Sequence, residues 1–428
     1  MMTHQDRLQA FHQLRSTIRS SDSMLVVGVD VAKAQHLAFF GTTAGKTLWK
    51  KLLFDNSIQG FKSLQTMADN LMTQNGLNDC VYGVEPTASY HKPLAEYLIR
   101  QDAQVVYVSN VAIKNNRKTL DGRWDKNDTK DAANVADLVS RGRCQYYDLP
   151  TDDILELRSL IAYRTKLKKL EHALRMRLRN HLVAQYFPEL DKLIPQGGQD
   201  ALILDLLAQG LFPARIAAMS FEALRDQLQS QRRHIAQERR LRTIWELSHE
   251  SIGCAFPETA TWEARTQVEQ LRQLRVIKRE LEAKLKTVGQ RFPAYHHLQT
   301  IPGFGPIVTT MVLAAISDAH RFASRKQVLR LAGLDLSASR SGTKSDNAIP
   351  VISKQGKAGL RYALFQAATI ASYKDETIRN YFTRLLKGRE QERGIKMKMR
   401  VKLAAKLLVV AWTLMKRNED FDSERFKP

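Results

Sequence analysis

The sequence predicts an α/β sheet domain over residues 1–150, followed by a helical middle over 151–295 and a mainly helical C-terminal domain over 296–428. Two patterns carry the first part. Short β-branched runs such as Leu25-Val26-Val27-Gly28-Val29-Asp30-Val31 alternate with longer amphipathic stretches, the mark of strands alternating with helices. A charged, leucine-rich composition takes over from about 152, and it signals long helices. At 428 residues the chain has room for two or three cores.

Each element of the first domain follows from local pattern. Leu8, Phe11, Leu14 and Ile18 share one side of a helix over 7–19. A strand over 24–31 comes next, then a hairpin with arms His36–Phe40 and Leu48–Phe54 around a Gly41–Lys46 turn. A helix over 57–74, a strand over 80–85, a helix over 89–101 and a strand over 104–108 continue the alternation, and a helix carrying Asp128 and Asp131 closes it. Three strands in hairpin order and then α–β alternation is the pattern of a ribonuclease-H-like mixed sheet. In the middle segment, Leu157, Leu160, Leu167, Leu170, Leu174 and Leu178 approximate a heptad, as do Leu271, Leu274, Ile277, Leu281, Leu285 and Val288. Both read as long coiled-coil helices that pack together or against a second protomer. Between them, residues 187–261 form a helical insert broken by proline and glycine, to which no chemistry attaches.

The charge narrows the partner. With 66 Lys plus Arg against 44 Asp plus Glu, the net charge of +22 calls for a polyanion, and nucleic acid is the usual one. No membrane association is expected, because the longest apolar run, Leu403–Met415, contains Lys406 and is too short to span a bilayer. Residues 1–7 lack an apolar signal region, and Cys80, Cys144 and Cys254 have neither zinc-ligand nor disulfide spacing, so a reducing cytoplasm is the expected compartment.

Four acids stand where acids are costly. Asp30 interrupts one apolar strand and Glu85 ends another, while Asp128 and Asp131 lie three residues apart on one helical face. Four converging carboxylates suit Mg²⁺, which takes hard oxygen ligands, and two such ions a few ångströms apart serve phosphodiester chemistry. Asp121 and Asp125 compete at the same helical spacing, and a solvated helix face is the bland alternative. Further on, Ile301-Pro302-Gly303-Phe304-Gly305 reads as a helix–hairpin–helix turn whose backbone N–H groups suit a phosphate, or as an ordinary helix–helix turn. Residues 321–361 hold nine Lys/Arg against two Asp, and 374–417 hold thirteen against four acids. Within the first stretch, Arg340, Lys344, Lys354, Lys357 and Arg361 could bind and neutralise a nucleic-acid phosphate near Ser341, with no histidine nearby in sequence to act as base; an ordinary Gly/Lys-rich loop is the bland alternative.

These residues together resemble the DEDD transposases of the insertion-sequence-one-ten and eleven-eleven type, a group related to Piv DNA invertases and bridge-RNA-guided recombinases. Gly28–Lys33, Val84–Thr87 and Lys126–Ala132 look like the family's RuvC-like first domain. Ile301–Gly305, Phe322, Ala332-Gly333-Leu334, Ser341-Gly342, Ile352–Gly356 and Leu360-Arg361 look like its second. The resemblance implies that Asp30, Glu85, Asp128 and Asp131 bind Mg²⁺ and that Ser341 attacks DNA to form a covalent link. It implies a composite site drawn from different protomers, a homodimer or homotetramer, and an element-encoded bridge RNA as guide. It also implies a prokaryotic, nucleoid-associated protein. The chain departs from the pattern at Asp335-Leu336, where the family has proline, at Gln355, where it has a basic residue, and in its longer middle. Two other readings stay open: a junction-type nuclease using metal-activated water, and a basic scaffold whose carboxylates are structural.

Overall fold

The computed structural model describes residues 4–120, 128–195, 201–228, 235–337 and 351–426. The chain divides into two compact units, residues 1–150 and 151–428. The first is a mixed α/β sheet domain and the second is mostly helical.

In the first unit, α1 (His4–Ser20) precedes β1 (Met24–Asp30), β2 (Gln35–Thr42) and β3 (Thr47–Asp55). Then come α2 (Ile58–Asn75), β4 (Asp79–Val84), α3 (His91–Arg100), β5 (Gln104–Tyr107), α4 (Asn110–Leu120), α5 (Asp128–Ser140) and the short β6 (Gln145–Tyr146). The strands form one sheet in the order β3-β2-β1-β4-β5-β6. β1, β4 and β5 are mutually parallel, and the others join antiparallel. The hairpin and the α–β alternation fall where the pattern predicts them. Sequence reading did not find α4, whose run NVAIKNNRKTL is polar.

Strand alternation sorts the sheet into two faces. Leu25, Val27 and Val29 of β1, with Tyr82 and Val84 of β4, pack with Phe61, Leu64 and Leu71 of α2 and Leu94 and Leu98 of α3. Val26 and Val81 point the other way, toward Phe11, Leu14 and Ile18 of α1, Ile113 of α4, and Val135, Leu138 and Val139 of α5. On this second face, Gly28 of β1 and Gly83 of β4 are register partners. They leave a shallow trough into which α5 sinks. A Cβ at Gly28 would lie 2.2 Å from the Ala132 carbonyl oxygen and 2.6 Å from the Ala136 nitrogen, and one at Gly83 would lie 2.5 Å from Val139. Two bare backbone positions thus fix how closely α5 approaches the strands.

The second unit begins with α6 (Asp152–Arg177), which continues through a π-helical turn at Leu178–Val183. Across the insert, helices at Ala201–Ala208, Phe221–Gln227 and Ile235–His249 enclose a core of their own around Leu206, Phe212, Leu224 and Ile244. α7 (Glu258–Gly289) then returns along α6. Ion pairs Arg291–Asp153, Arg164–Glu282, Lys278–Glu171 and Arg177–Glu263 run in opposite chain directions, so the two long helices are antiparallel and pack on each other. Their seam only partly follows the expected heptad. Leu157, Leu167, Leu271, Leu281 and Leu285 are buried, but Leu170 and Ile277 are exposed. The reason is ionic: Glu171 occupies the seam beside Leu170 and receives Lys278 and Arg275 from α7.

A C-terminal group of helices completes the unit: α8 (Pro306–Ile316), α9 (Arg325–Ala332), α10 (Ala358–Lys374), α11 (Glu376–Leu386) and α12 (Ile395–Arg417). Leu364, Ala367, Ala368 and Ala371 of α10 meet Leu403, Leu407, Leu408 and Ala411 of α12 in its core, where the alanines let the two helices close up.

Two outcomes follow from this packing. Gly28→Ala should lower the thermal midpoint, at a cost of about 1–3 kcal/mol for overpacking. Gly305→Ala, where a Cβ meets nothing within 4 Å, should leave the midpoint in place. Equal midpoints in a thermal melt of the two variants would contradict the close approach of α5. In the second unit, burial works against the Glu171 charge, but Lys278 and Arg275 outweigh it and hold the carboxyl below its ordinary value. Its stabilisation is therefore present above the unfolded value and fades as pH falls through the depressed folded one. Urea titrations should show Glu171→Gln destabilised at pH 7 by about 1–3 kcal/mol, the cost of unpaired buried partners, with the gap to the parent chain closing below about pH 4. A gap independent of pH would show that the ion pairs contribute nothing.

Candidate active site

The acids of the first unit are placed by the same two glycines. Side chains two residues apart on a strand share a face, so Asp30 follows Gly28, and Glu85 follows Gly83, on the side covered by α5. Because Gly28 and Gly83 are register partners, both acids come at the carboxyl ends of adjacent parallel strands. α5, seated in the glycine trough, brings Asp131 to the same region. Asp30, Glu85 and Asp131 all line one open cavity of about 620 Å³, together with Lys33, Thr87, Tyr90, Asn110, Lys114 and Arg117. Asp128 begins α5 three residues before Asp131, and its side chain lies outside the described ones, as do Asp121 and Asp125 entirely.

Burial differs among the three acids. Asp30 and Glu85 are half-buried, whereas Asp131 is only 3% exposed. A carboxylate so enclosed needs a positive partner. Arg117 of α4 supplies it, donating from Nη2 to Oδ1 of Asp131. The Arg117 Nε is also buried and has no hydrogen-bond partner among the described residues. Neighbouring contacts hold α4 against α5: Asn116 donates to Asn134 at 2.8 Å and to Asp137 at 2.7 Å, and Asn134 donates to the Ile113 carbonyl at 2.9 Å. After Asp30 the chain is pinned by buried His36, whose Nδ1 accepts from the Ala32 N–H at 3.2 Å. Burial lowers the His36 pKa and keeps the ring neutral, as an accepting Nδ1 requires.

The donor set fits a hard cation in kind, since three carboxylates from β1, β4 and α5 border one solvent-open cavity. As they stand, no three His, Cys, Asp or Glu side chains among the described residues are grouped closely enough to hold a metal ion. Arg117 neutralises Asp131 instead, so a cation at Asp131 would have to share or replace that guanidinium. Sequence reasoning missed Arg117, Lys33 and Lys114. The local signal for the acids is a repeated one: Gly-Val-Asp at 28–30 and Gly-Val-Glu at 83–85 are the same three-residue device on paired strands.

In the second unit, Gly303 lies in the left-handed region at φ 87°, and a Cβ there would strike the Ala367 carbonyl at 2.3 Å. Its close approach serves packing against α10, while Gly305 opens α8 on the exposed side. Lys354 also adopts a left-handed φ, in a turn where Gly356 closes on the Gly333 nitrogen. Arg361 spends its guanidinium on the carbonyls of Ala332, at 2.7 Å, and Lys354, at 3.4 Å. The Lys357 ammonium reaches the Ala315 carbonyl at 3.3 Å. Arg361 thus ties the end of α9 to the turn at Lys354, and Lys357 ties the start of α10 to the end of α8. Arg340, Ser341 and Lys344 lie outside the described residues. Asp335 accepts from the Ser353 hydroxyl at 2.6 Å.

Two family models match the chain in succession. A DEDD-type IS110 model described as a transposase matches residues 27–188. A second model, described as transposase IS116/IS110/IS902 family, matches residues 295–383. The pilin gene-inverting proteins of Moraxella bovis and Moraxella lacunata are 32% and 31% identical over 125 residues, 29% of this chain. The matched segment spans 38% of each Moraxella protein's length. The transposase for insertion sequence element IS1111A of Coxiella burnetii is 22% identical over 425 residues, covering 98% of this chain and 97% of that protein. With two models of one family matched in succession and a relative aligned end to end, the chain belongs to the IS110 family of transposases.

Proposed function

We propose that this protein is a DNA recombinase of a mobile element that cuts and rejoins strands at defined sites. The observation that carries the reading is the convergence of Asp30, Glu85 and Asp131 on one cavity at the carboxyl edge of a mixed sheet. The hairpin followed by parallel strands supports a RuvC-like assignment for residues 1–150. With Asp128 from the start of α5, these acids would hold Mg²⁺ as a two-ion site. Bound there, the ions supply charge neutralisation at the scissile phosphate. The chain's own cations at the cavity, Lys33, Lys114 and Arg117, orient the phosphate backbone by charge-assisted contacts.

Ser341 is the proposed nucleophile. Its Oγ forms a bond to phosphorus as one phosphodiester P–O bond breaks, and the proton lost from Oγ ends on the released sugar hydroxyl. Rejoining reverses the exchange, so the bond energy is conserved in the serine link and no nucleotide cofactor is consumed. Gly303, Gly305, Arg340, Lys344, Lys354, Lys357 and Arg361 are proposed as phosphate contacts. The helices of 151–295 are proposed to join protomers as a homodimer or homotetramer, and a bridge RNA from the same element is the proposed guide. The relatives support the general class: two are pilin gene-inverting proteins and one is an insertion-sequence transposase.

A nuclease using water shares every feature of the carboxylate cavity, so the serine decides between the two. Incubated with a nicked suicide substrate, the parent protein should become covalently attached to DNA, with the modified peptide mapping to Ser341 by mass spectrometry. Ser341→Ala should bind DNA with parental affinity and yield no adduct, and Ser353→Ala should still form it. Cleavage by Ser341→Ala that leaves free phosphate ends would make the enzyme a water-using nuclease.

A further inference from the structure

The outward face of α10 carries a stripe that the core of the second unit does not use. Tyr362, Gln366, Ile370 and Tyr373 recur at helical spacing on one side. Tyr362 is 53% exposed, Ile370 45% and Tyr373 64%, while Ala363, Ala367 and Ala371 on the opposite side are buried. Large side chains left in water at regular spacing on a packed helix mark a contact surface more often than chance.

Each tyrosine has a cation at its ring. The Lys168 ammonium of α6 lies 5.4 Å from the Tyr362 centroid, and the Arg400 guanidinium of α12 lies 5.2 Å from that of Tyr373. Arg400 also donates to the Tyr373 hydroxyl, and Gln366 donates to the Tyr362 hydroxyl at 3.0 Å. Both rings are thus oriented, with more than half of their area open. Partial burial, with Arg164 and Lys278 nearby, lowers the Lys168 pKa, while Glu282 and Glu171, the ion-pair partners of those two cations, act the other way. Lys396 and exposed Met397 stand one turn before Arg400 on its side of α12. No Asp or Glu occurs from Lys354 to Lys374 or from Ile395 to Arg417.

Oriented aromatic faces on helices whose own runs carry cations and no acids are the elements of a platform for unpaired nucleotides, in which bases stack and phosphates meet cations. Duplex DNA keeps its base faces stacked internally, so a ring in this position gains nothing from it. A second copy of the chain is the poorer occupant: a two-fold contact through this face would set like charges against each other in a protein of net charge +22. We infer that the stripe Tyr362–Tyr373 of α10, with Lys168, Lys396 and Arg400, binds an unpaired DNA strand by base stacking. The two rings are separated by about 16.5 Å along the helix, at 1.5 Å per residue, so they would grip separate nucleotides and leave others between them. The inference deepens the proposed function and rests on it: strand exchange requires a parted strand to be held somewhere.

Anisotropy titrations of the full-length Ser341→Ala protein with labelled 20-nucleotide DNA, RNA of the same sequence and duplex DNA give the test. Tyr362→Leu with Tyr373→Leu should weaken single-stranded DNA binding roughly tenfold or more, given about 1–3 kcal/mol per stacked base, and leave the duplex unchanged. Phenylalanine at both positions should restore binding, because the ring and not the hydroxyl does the stacking. Lys168→Gln with Lys396→Gln should flatten the single-strand salt slope by about 0.7 for each phosphate that is no longer neutralised. Weakening confined to RNA, equal weakening on duplex and single strand, or unchanged binding with altered oligomeric state in ultracentrifugation would each overturn the inference. Parental protein that binds none of the three nucleic acids would overturn the proposed function itself.

Discussion

The close seating of α5 on the sheet is the constraint from which the rest of the first unit follows. Backbone against backbone is possible only where both strands lack a side chain, and Gly28 and Gly83 provide that at matched register positions. Once α5 lies in the trough, the two-residue period of the strands does the remaining work. Asp30 and Glu85 emerge one step beyond the glycines, and Asp131 comes off the first turn of the helix laid over them. Three acids distant in sequence thereby reach one cavity.

Electrostatics limits what such an assembly tolerates. A nearly enclosed carboxylate loses several kcal/mol of hydration unless an opposite charge meets it. Arg117 supplies that charge to Asp131. The same logic recurs in the second unit, where Glu171 in the helical seam is held charged by Lys278 and Arg275. The excess of basic residues gives the protein a strong positive field, which draws a polyanion and makes binding salt-dependent.

Much of this was legible in the sequence where the signal was local. The apolar runs of β1 and β4, the hairpin turn and the acids at strand ends each report themselves over a few residues. α4 did not, because its one buried stripe depends on Asn116 and Ile113 meeting α5, a contact that its polar composition does not announce. Arg117 was hidden for the same reason: among 66 basic residues, nothing local marks one that pairs with a buried acid. The leucine heptads were visible, but which positions face the seam was decided by Glu171 and its partners on α7, so Leu170 and Ile277 face outward. Lys357 and Arg361 read as phosphate contacts from charge alone; that they also meet the carbonyl oxygens of Ala315 and Ala332 depends on where α8 and α9 end in space, which no local pattern shows.

On the proposed function, a divalent metal at the cavity beside α5 competes with Arg117 for Asp131. The decisive measurement is a count of bound Mn²⁺ by electron paramagnetic resonance, in the absence of DNA. The expected result is saturable binding to the parent protein, loss of that binding in Asp30→Asn and Asp131→Asn, and tighter binding in Arg117→Met, where the competing guanidinium is gone. Binding that survives both carboxamide substitutions, or that weakens in Arg117→Met, would contradict it.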